Sequence, residues 1–88
     1  MLSIDNFLNS EGKILTWPAK QEKKKAILRY MSSKFDVNRM YTEKEVNEII
    51  TRWHEFNDLF ILRRGMVDMG YIERTKDGKQ YWRKEDTE

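Results

Sequence analysis

Apolar residues fall at helical spacing in three stretches of the chain and alternate only near its two ends. From Ala19 to Phe35 the residues Ile27, Leu28, Met31 and Phe35 share one stripe, with Tyr30 at its border, while Lys23, Lys25, Arg29 and Ser33 fall mostly outside it. The first predicted helix therefore has a basic side in water, and Pro18 suits its entrance. Asp36 to Met40 breaks the period, and Thr42 with Glu45 makes a T-x-x-E capping box that opens a second helix with inner face Val46, Ile49, Ile50, Trp53 and Phe56. Asn57 and Asp58 punctuate again before a third helix, which Gly70 ends. On that helix Leu59, Leu62, Met66 and Met69 share a face with Phe60 and Val67 at its margin, and Ile61, Arg64, Gly65 and Asp68 point outward. Arg63 is the exception, a cation inside the apolar arc.

After Gly70 the period changes. Tyr71-Ile72 and Tyr81-Trp82 bracket Asp77-Gly78, among the strongest short signals for a hairpin. Near the N-terminus the stretch KILTW, residues 13 to 17, reads as a short strand closed by Pro18. The predicted fold is α+β: a short N-terminal strand, three helices and a C-terminal β-hairpin, the order of a small winged helix-turn-helix domain. There the third helix is offered to a groove with the hairpin beside it as the wing, and the first strand is expected to pair with that hairpin.

A chain of 88 residues supports one core, so residues 1–88 form a single domain, its ordered part about 7–83 and the tail 84–88 expected to fray. The aromatic share of 12% means that a few large side chains supply much of the burial. With no Cys there is no disulfide framework and no thiolate chemistry, and no apolar run approaches the length of a membrane span, so a cytoplasmic protein with no membrane partner is expected. Net charge is only +2 but unevenly spread: residues 20 to 34 hold six positive charges against one negative, 42 to 58 two against five, and 63 to 84 seven against three. Such an asymmetry permits a polyanionic partner, although basic runs are more often solvated helix faces.

Catalysis finds little support. His54 is the only histidine and reads as a border residue near a helix C-terminus; Glu43 and Glu45 are explained by the helix start, and neither a P-loop nor a G-x-G-x-x-G run is present. We therefore expect no enzyme, no metal site, no cofactor and no small-molecule ligand. Arg63, if buried, needs a carboxylate from helix two; Glu43, Glu45 and Glu48 are available and Glu45 is the first choice for a structural ion pair, with an outward turn to phosphate as the alternative.

The expected nucleic-acid-binding residues are Asn57, Ile61 and Arg64 on the third helix, and Arg74, Lys76 and Lys79 on the wing. Arginine can pair with guanine O6 and N7, Asn57 can meet phosphate or adenine, Ile61 a thymine methyl, and the wing cations phosphates. Asp68 opposes this reading, and the wing lysines also have a bland use in protecting an exposed sheet edge. Lys23, Lys24 and Lys25 could touch the backbone. Trp17, Trp53 and Trp82 are read as packing residues before stacking platforms.

The strings WPAK (17 to 20), YTEKEVNEII (41 to 50), FNDLFILRR (56 to 64), VDMGYIER (67 to 74) and DGKQYW (77 to 82) together resemble the bacterial family catalogued as domain of unknown function 2087. The resemblance covers about residues 7 to 83. The family occurs free-standing and attached to transcriptional regulators, so the resemblance implies a regulatory setting and a winged-helix-like fold, but no activity, ligand or binding residues. The expected function is non-enzymatic: a transcriptional regulatory domain that binds duplex DNA through helix three and wing. The alternative is a winged helix used as a protein-interaction module without nucleic-acid binding. A homodimer would add a readable half-site spacing.

Overall fold

The computed structural model describes residues 4–84. After a single 3-10 turn at Asp5–Phe7 come α1 (Gln21–Ser32), β1 (Met40–Thr42), α2 (Glu43–Arg52), α3 (Leu59–Asp68), β2 (Ile72–Arg74) and β3 (Gln80–Arg83). The three strands form one antiparallel sheet in the order β1-β3-β2, with Tyr41 opposite Tyr81 and Arg74 opposite the same Tyr81 on the other side. Three helices on such a sheet make a small α+β fold of winged-helix-like form. No helix of the described residues is long and apolar enough to cross a membrane.

The third strand is not the one expected. Residues 13 to 17 do not join the hairpin; Met40–Thr42, which runs from the end of the predicted helix break at Asp36 to Met40 into the Thr42 cap, supplies the pairing instead. Ile14 makes only isolated bridges, to Leu8 and to His54. Its N–H donates to Trp53 O at 2.8 Å and its carbonyl accepts from Glu55 N–H at 2.8 Å, so this segment clasps the turn between α2 and α3. The side chain of Ile14 is fully buried there. Asn9 reinforces the clasp, its Nδ2 donating to Glu55 Oε2 at 3.0 Å.

The helix boundaries follow local chemistry. Thr42 Oγ1 accepts from Glu45 N–H at 3.1 Å while Glu45 Oε1 accepts from Thr42 N–H at 2.8 Å, closing the capping box. The Thr42 N–H bond, ahead of the Arg39 charge, holds the Glu45 carboxyl below its usual value. Asp58 caps α3 by accepting from Ile61 N–H at 3.2 Å, and Gly70, at φ 78°, turns the chain so that Tyr71 N–H reaches Met66 O at 2.9 Å. α1 stops earlier than its apolar period suggests, because Ser32 and Ser33 turn their hydroxyls back onto the carbonyls of Arg29 and Tyr30.

The core lies where the helices meet the inner face of the sheet. Ile27 and Met31 of α1, Val46 and Ile50 of α2, Leu62 and Met66 of α3, and Ile72 of β2 are all buried. Phe35 meets Tyr41 edge-on, with ring centroids 5.1 Å apart and planes at 83°. The three tryptophans are only half-buried. Trp17 and Trp53 pack on the core, whereas Trp82 pairs across the strands with Met40 and Glu73 and donates its Nε1–H to Glu73 Oε1 at 3.0 Å.

The wing turn is held by one carboxylate. Gly78 sits at φ 72° as the Asp-Gly signal requires, and its N–H donates to Thr75 O at 3.0 Å. Asp77 Oδ1 accepts from the Thr75 hydroxyl at 2.6 Å and from Lys79 N–H at 3.0 Å. The Thr75 hydroxyl, then the Lys79 N–H, lower the Asp77 pKa from its ordinary value. A carboxylate with a depressed folded-state pKa contributes stability above its unfolded value and loses it as pH falls through the folded one. The amide signals of residues 75 to 79 are therefore expected to shift together below about pH 4, while those of the helices stay in place. Asp77→Asn should abolish that transition; its persistence in the variant would assign it to another group.

Candidate nucleic-acid interface

α3 is the middle helix, and this decides what it exposes. On one flank Gly65 lies against α1, so close that a Cβ on it would stand 2.8 Å from Leu28 Cδ2. Ile61 is half-buried on the same flank, so Ile61 and Gly65, expected outward, face α1 instead. The other flank carries Leu59 and Arg63 toward α2. What remains is a strip of Phe60, Arg64, Val67 and Asp68. Phe60 is 64% exposed, and the Arg64 and Asp68 side chains 87% and 64%. The helical period alone sets Phe60 at the margin of the core. The signal that could have found it is the i, i+4, i+8 spacing of Phe60, Arg64 and Asp68, opposite an arc buried by two neighbours rather than one.

Arg63 belongs to the structure of the interface and not to its outer surface. Its Nη1 donates to Asn47 Oδ1 at 2.6 Å and lies 3.3 Å from Glu43 Oε1, with the guanidinium 5.1 Å from the Phe60 ring centroid. The partner is thus Glu43 with Asn47, and not Glu45. Glu43 and Asn47 are one helical turn apart on the side of α2 that meets α3, whereas Glu45 lies roughly 200° around from Glu43. Glu45 is engaged at the cap, with its other oxygen 3.4 Å from Arg39 Nη2. With its side chain only 18% exposed, Arg63 is not placed to turn outward to phosphate.

Arg64 does point outward. Its Nε stands 3.8 Å from Asp68 Oδ2, an exposed i,i+4 pair worth a few tenths of a kcal/mol, so the guanidinium is available to stronger acceptors. Asn57 is exposed and left-handed at φ 59°, in the turn just ahead of α3. That turn is pinned from below by His54, which is more buried than a border residue. Its Nδ1 bonds Ile50 O at 2.7 Å and its Nε2 accepts from Asp58 N–H at 3.1 Å. Both bonds are met by a neutral ring with its proton on Nδ1, a tautomer assigned from these partners.

On the wing Arg74, Lys76 and Lys79 are exposed, and none forms an ion pair among the described residues. Arg83 is different, its Nη1 donating to Phe35 O at 3.0 Å to tie the hairpin to the end of α1. A cleft of ≈ 540 Å³ runs between the C-terminal end of α3 and the wing, and Val67, Gly70, Arg74, Lys76 and Trp82 line it. Val67 alone of the outward strip of α3 borders this cleft with the two wing cations, whereas Arg64 and Asp68 line a groove on the α1 side. Acids interrupt both surfaces: Glu73 lines the cleft, and Asp68 closes the strip. Among the described residues no three His, Asp or Glu side chains converge as metal ligands.

Three helices, a three-stranded antiparallel sheet and a cationic hairpin beside α3 make a small α+β domain consistent with a winged-helix-like fold. Residues 13–83 match the model of the family described as uncharacterized protein conserved in bacteria, DUF2087, and the chain belongs to that family. No curated protein and no solved structure matches it.

Proposed function

We propose that the chain is a DNA-associated regulatory domain without chemistry of its own, binding duplex DNA through α3 and the wing. The observation that carries this reading is the set of wing cations Arg74, Lys76 and Lys79, exposed around a turn held rigid by Asp77 and free of any carboxylate partner among the described residues. Such cations reach phosphates, release counterions and position α3 over base edges. Arg64 then pairs with guanine, Phe60 meets a thymine methyl and Asn57 a phosphate or adenine, while Asp68 restricts its neighbour to a cytosine amino group. Ile61, turned toward α1, drops out of the reading set.

The test is duplex binding by fluorescence anisotropy across several salt concentrations. Replacing Lys76 and Lys79 together with Gln should weaken binding to every sequence alike and lower the salt slope by roughly two, about one for each phosphate no longer neutralised. Arg64→Ala should remove about 1 to 3 kcal/mol of discrimination at one base position and leave non-specific affinity nearly intact. If the wild-type chain binds no duplex at about 50 mM salt, or the lysine pair changes nothing, the wing is not a phosphate clamp and the reading fails.

A further inference from the structure

The flank of α3 that turns away from the wing carries a second concave surface. A groove of ≈ 200 Å³ lies between α1 and α3, lined by Trp17, Lys24, Leu28, Ile61, Gly65 and Met69, with Arg64 and Asp68 at its rim. Gly65 makes it: without a Cβ the helix backbones approach, and Leu28 forms the floor instead of being capped by a side chain. Trp17 and Ile61 are half-buried, and Met69 is 38% exposed although it is apolar. Lys24 Nζ hangs 5.9 Å from the Trp17 ring centroid and forms no ion pair among the described residues. Arg64 faces it from the opposite wall, with only the loose contact to Asp68 to occupy it. The floor is apolar, the α1 wall carries Lys24 and the α3 wall carries Arg64 with Asp68 beside it, so the lining has a net charge of about +1. The lysines at positions 20, 23, 24 and 25, against Glu22 alone, extend the same sign along the start of α1.

We propose that this groove docks a segment of a partner protein in which a bulky apolar side chain is flanked by carboxylates. The space holds about one aromatic or branched side chain, so the segment inserts a single anchor against Leu28 and Trp17 and lays its acids on Lys24 and Arg64. A purely apolar peptide would cover Lys24 without giving it a partner, and a basic one would be repelled by the net positive charge of the groove and of the start of α1. The groove and the wing lie on opposite flanks of α3, so a partner seated here leaves the wing cations accessible. The inference does not require DNA binding, although Arg64 is common to both surfaces, so a seated peptide would compete with a base for that one side chain.

The experiment is a heteronuclear NMR titration of the full chain with a short N-acetylated peptide in which a single Phe is flanked by Glu and Asp. Saturable shifts are expected at the Trp17 indole, the Leu28 and Met69 methyls and Ile61, with none at residues 75 to 79. Lys24→Glu and Met69→Glu, both at accessible positions, should each weaken binding by about tenfold or more, and the Lys76/Lys79 double Gln variant should leave it unchanged. Exchanging the peptide's acids for lysines, or its Phe for serine, should abolish the shifts. Absence of saturable shifts at the groove overturns the proposal. So does equal binding of the lysine peptide, or equal binding of free phenylacetate, which would make the groove a small-molecule site. The same shifts on concentrating the chain alone would assign the surface to a second copy and overturn the proposal, as would duplex DNA that shifts the Trp17 indole and Leu28 methyls of the groove floor rather than only the surroundings of Arg64.

Discussion

His54→Ala is expected to lower stability by about 3 kcal/mol, more than any substitution on the outward strip of α3. The ring is 7% exposed and meets Phe56 edge-on, with centroids 4.9 Å apart, so its removal opens a cavity under the α2–α3 turn. It also deprives Asp58 N–H of its acceptor at the residue whose side chain caps α3. Loss of packing and loss of a bond to a cap residue act at the same place. His54→Phe should keep most of the ring packing and lose only the two polar bonds, giving about half the effect. Urea denaturation measures the totals, and amide exchange at Ile61 reports whether the start of α3 frays first. An Ala variant within about 1 kcal/mol of wild type would mean that the turn is held by other interactions.

Gly65→Val is expected to cost about 2 to 3 kcal/mol, whereas Gly65→Ala should be close to neutral. Both add a Cβ 2.8 and 2.9 Å from the two Leu28 methyls, and these are the far ends of a side chain that can shift a little although it is 4% exposed. For alanine that shift is offset by the roughly 1 kcal/mol gained on removing a glycine from a helix. Valine adds two further methyls and a restricted rotamer, which one leucine cannot clear. The Leu28→Ala background should recover part of the loss in Gly65→Val, and strict additivity in that double-mutant cycle would show that the two residues do not meet.

The features legible in the sequence were those decided within a few residues. The Thr42/Glu45 box, the Asp58 cap, Gly70 at the end of α3 and Gly78 in the wing each rest on chemistry between near neighbours in the chain, and each stands where its residues indicate. The choice of third strand was not legible, because KILTW and Met40–Thr42 are both short enough to pair and the partner is settled across about 40 residues of chain. The same holds for Arg63. Its place in the apolar arc was visible, but the selection of Glu43 over Glu45 depends on which face of α2 turns toward α3. The outward strip was misplaced on Ile61 and Gly65 for a related reason: a helical wheel finds one buried direction, and a helix wedged between two others has a buried arc wide enough to include them.

The clasp at Ile14 gives α3 a mechanical input. Two backbone bonds join residue 14 to Trp53 and Glu55, and a third tie runs from Asn9 to Glu55, so the corner that sets the angle between α2 and α3 is stitched to a segment of the chain far earlier in sequence. A pull on that segment would be transmitted through these three bonds to the α2–α3 corner, and not to the wing, which they do not touch. Tension along residues 9 to 14 becomes a variable to which the orientation of α3 can respond.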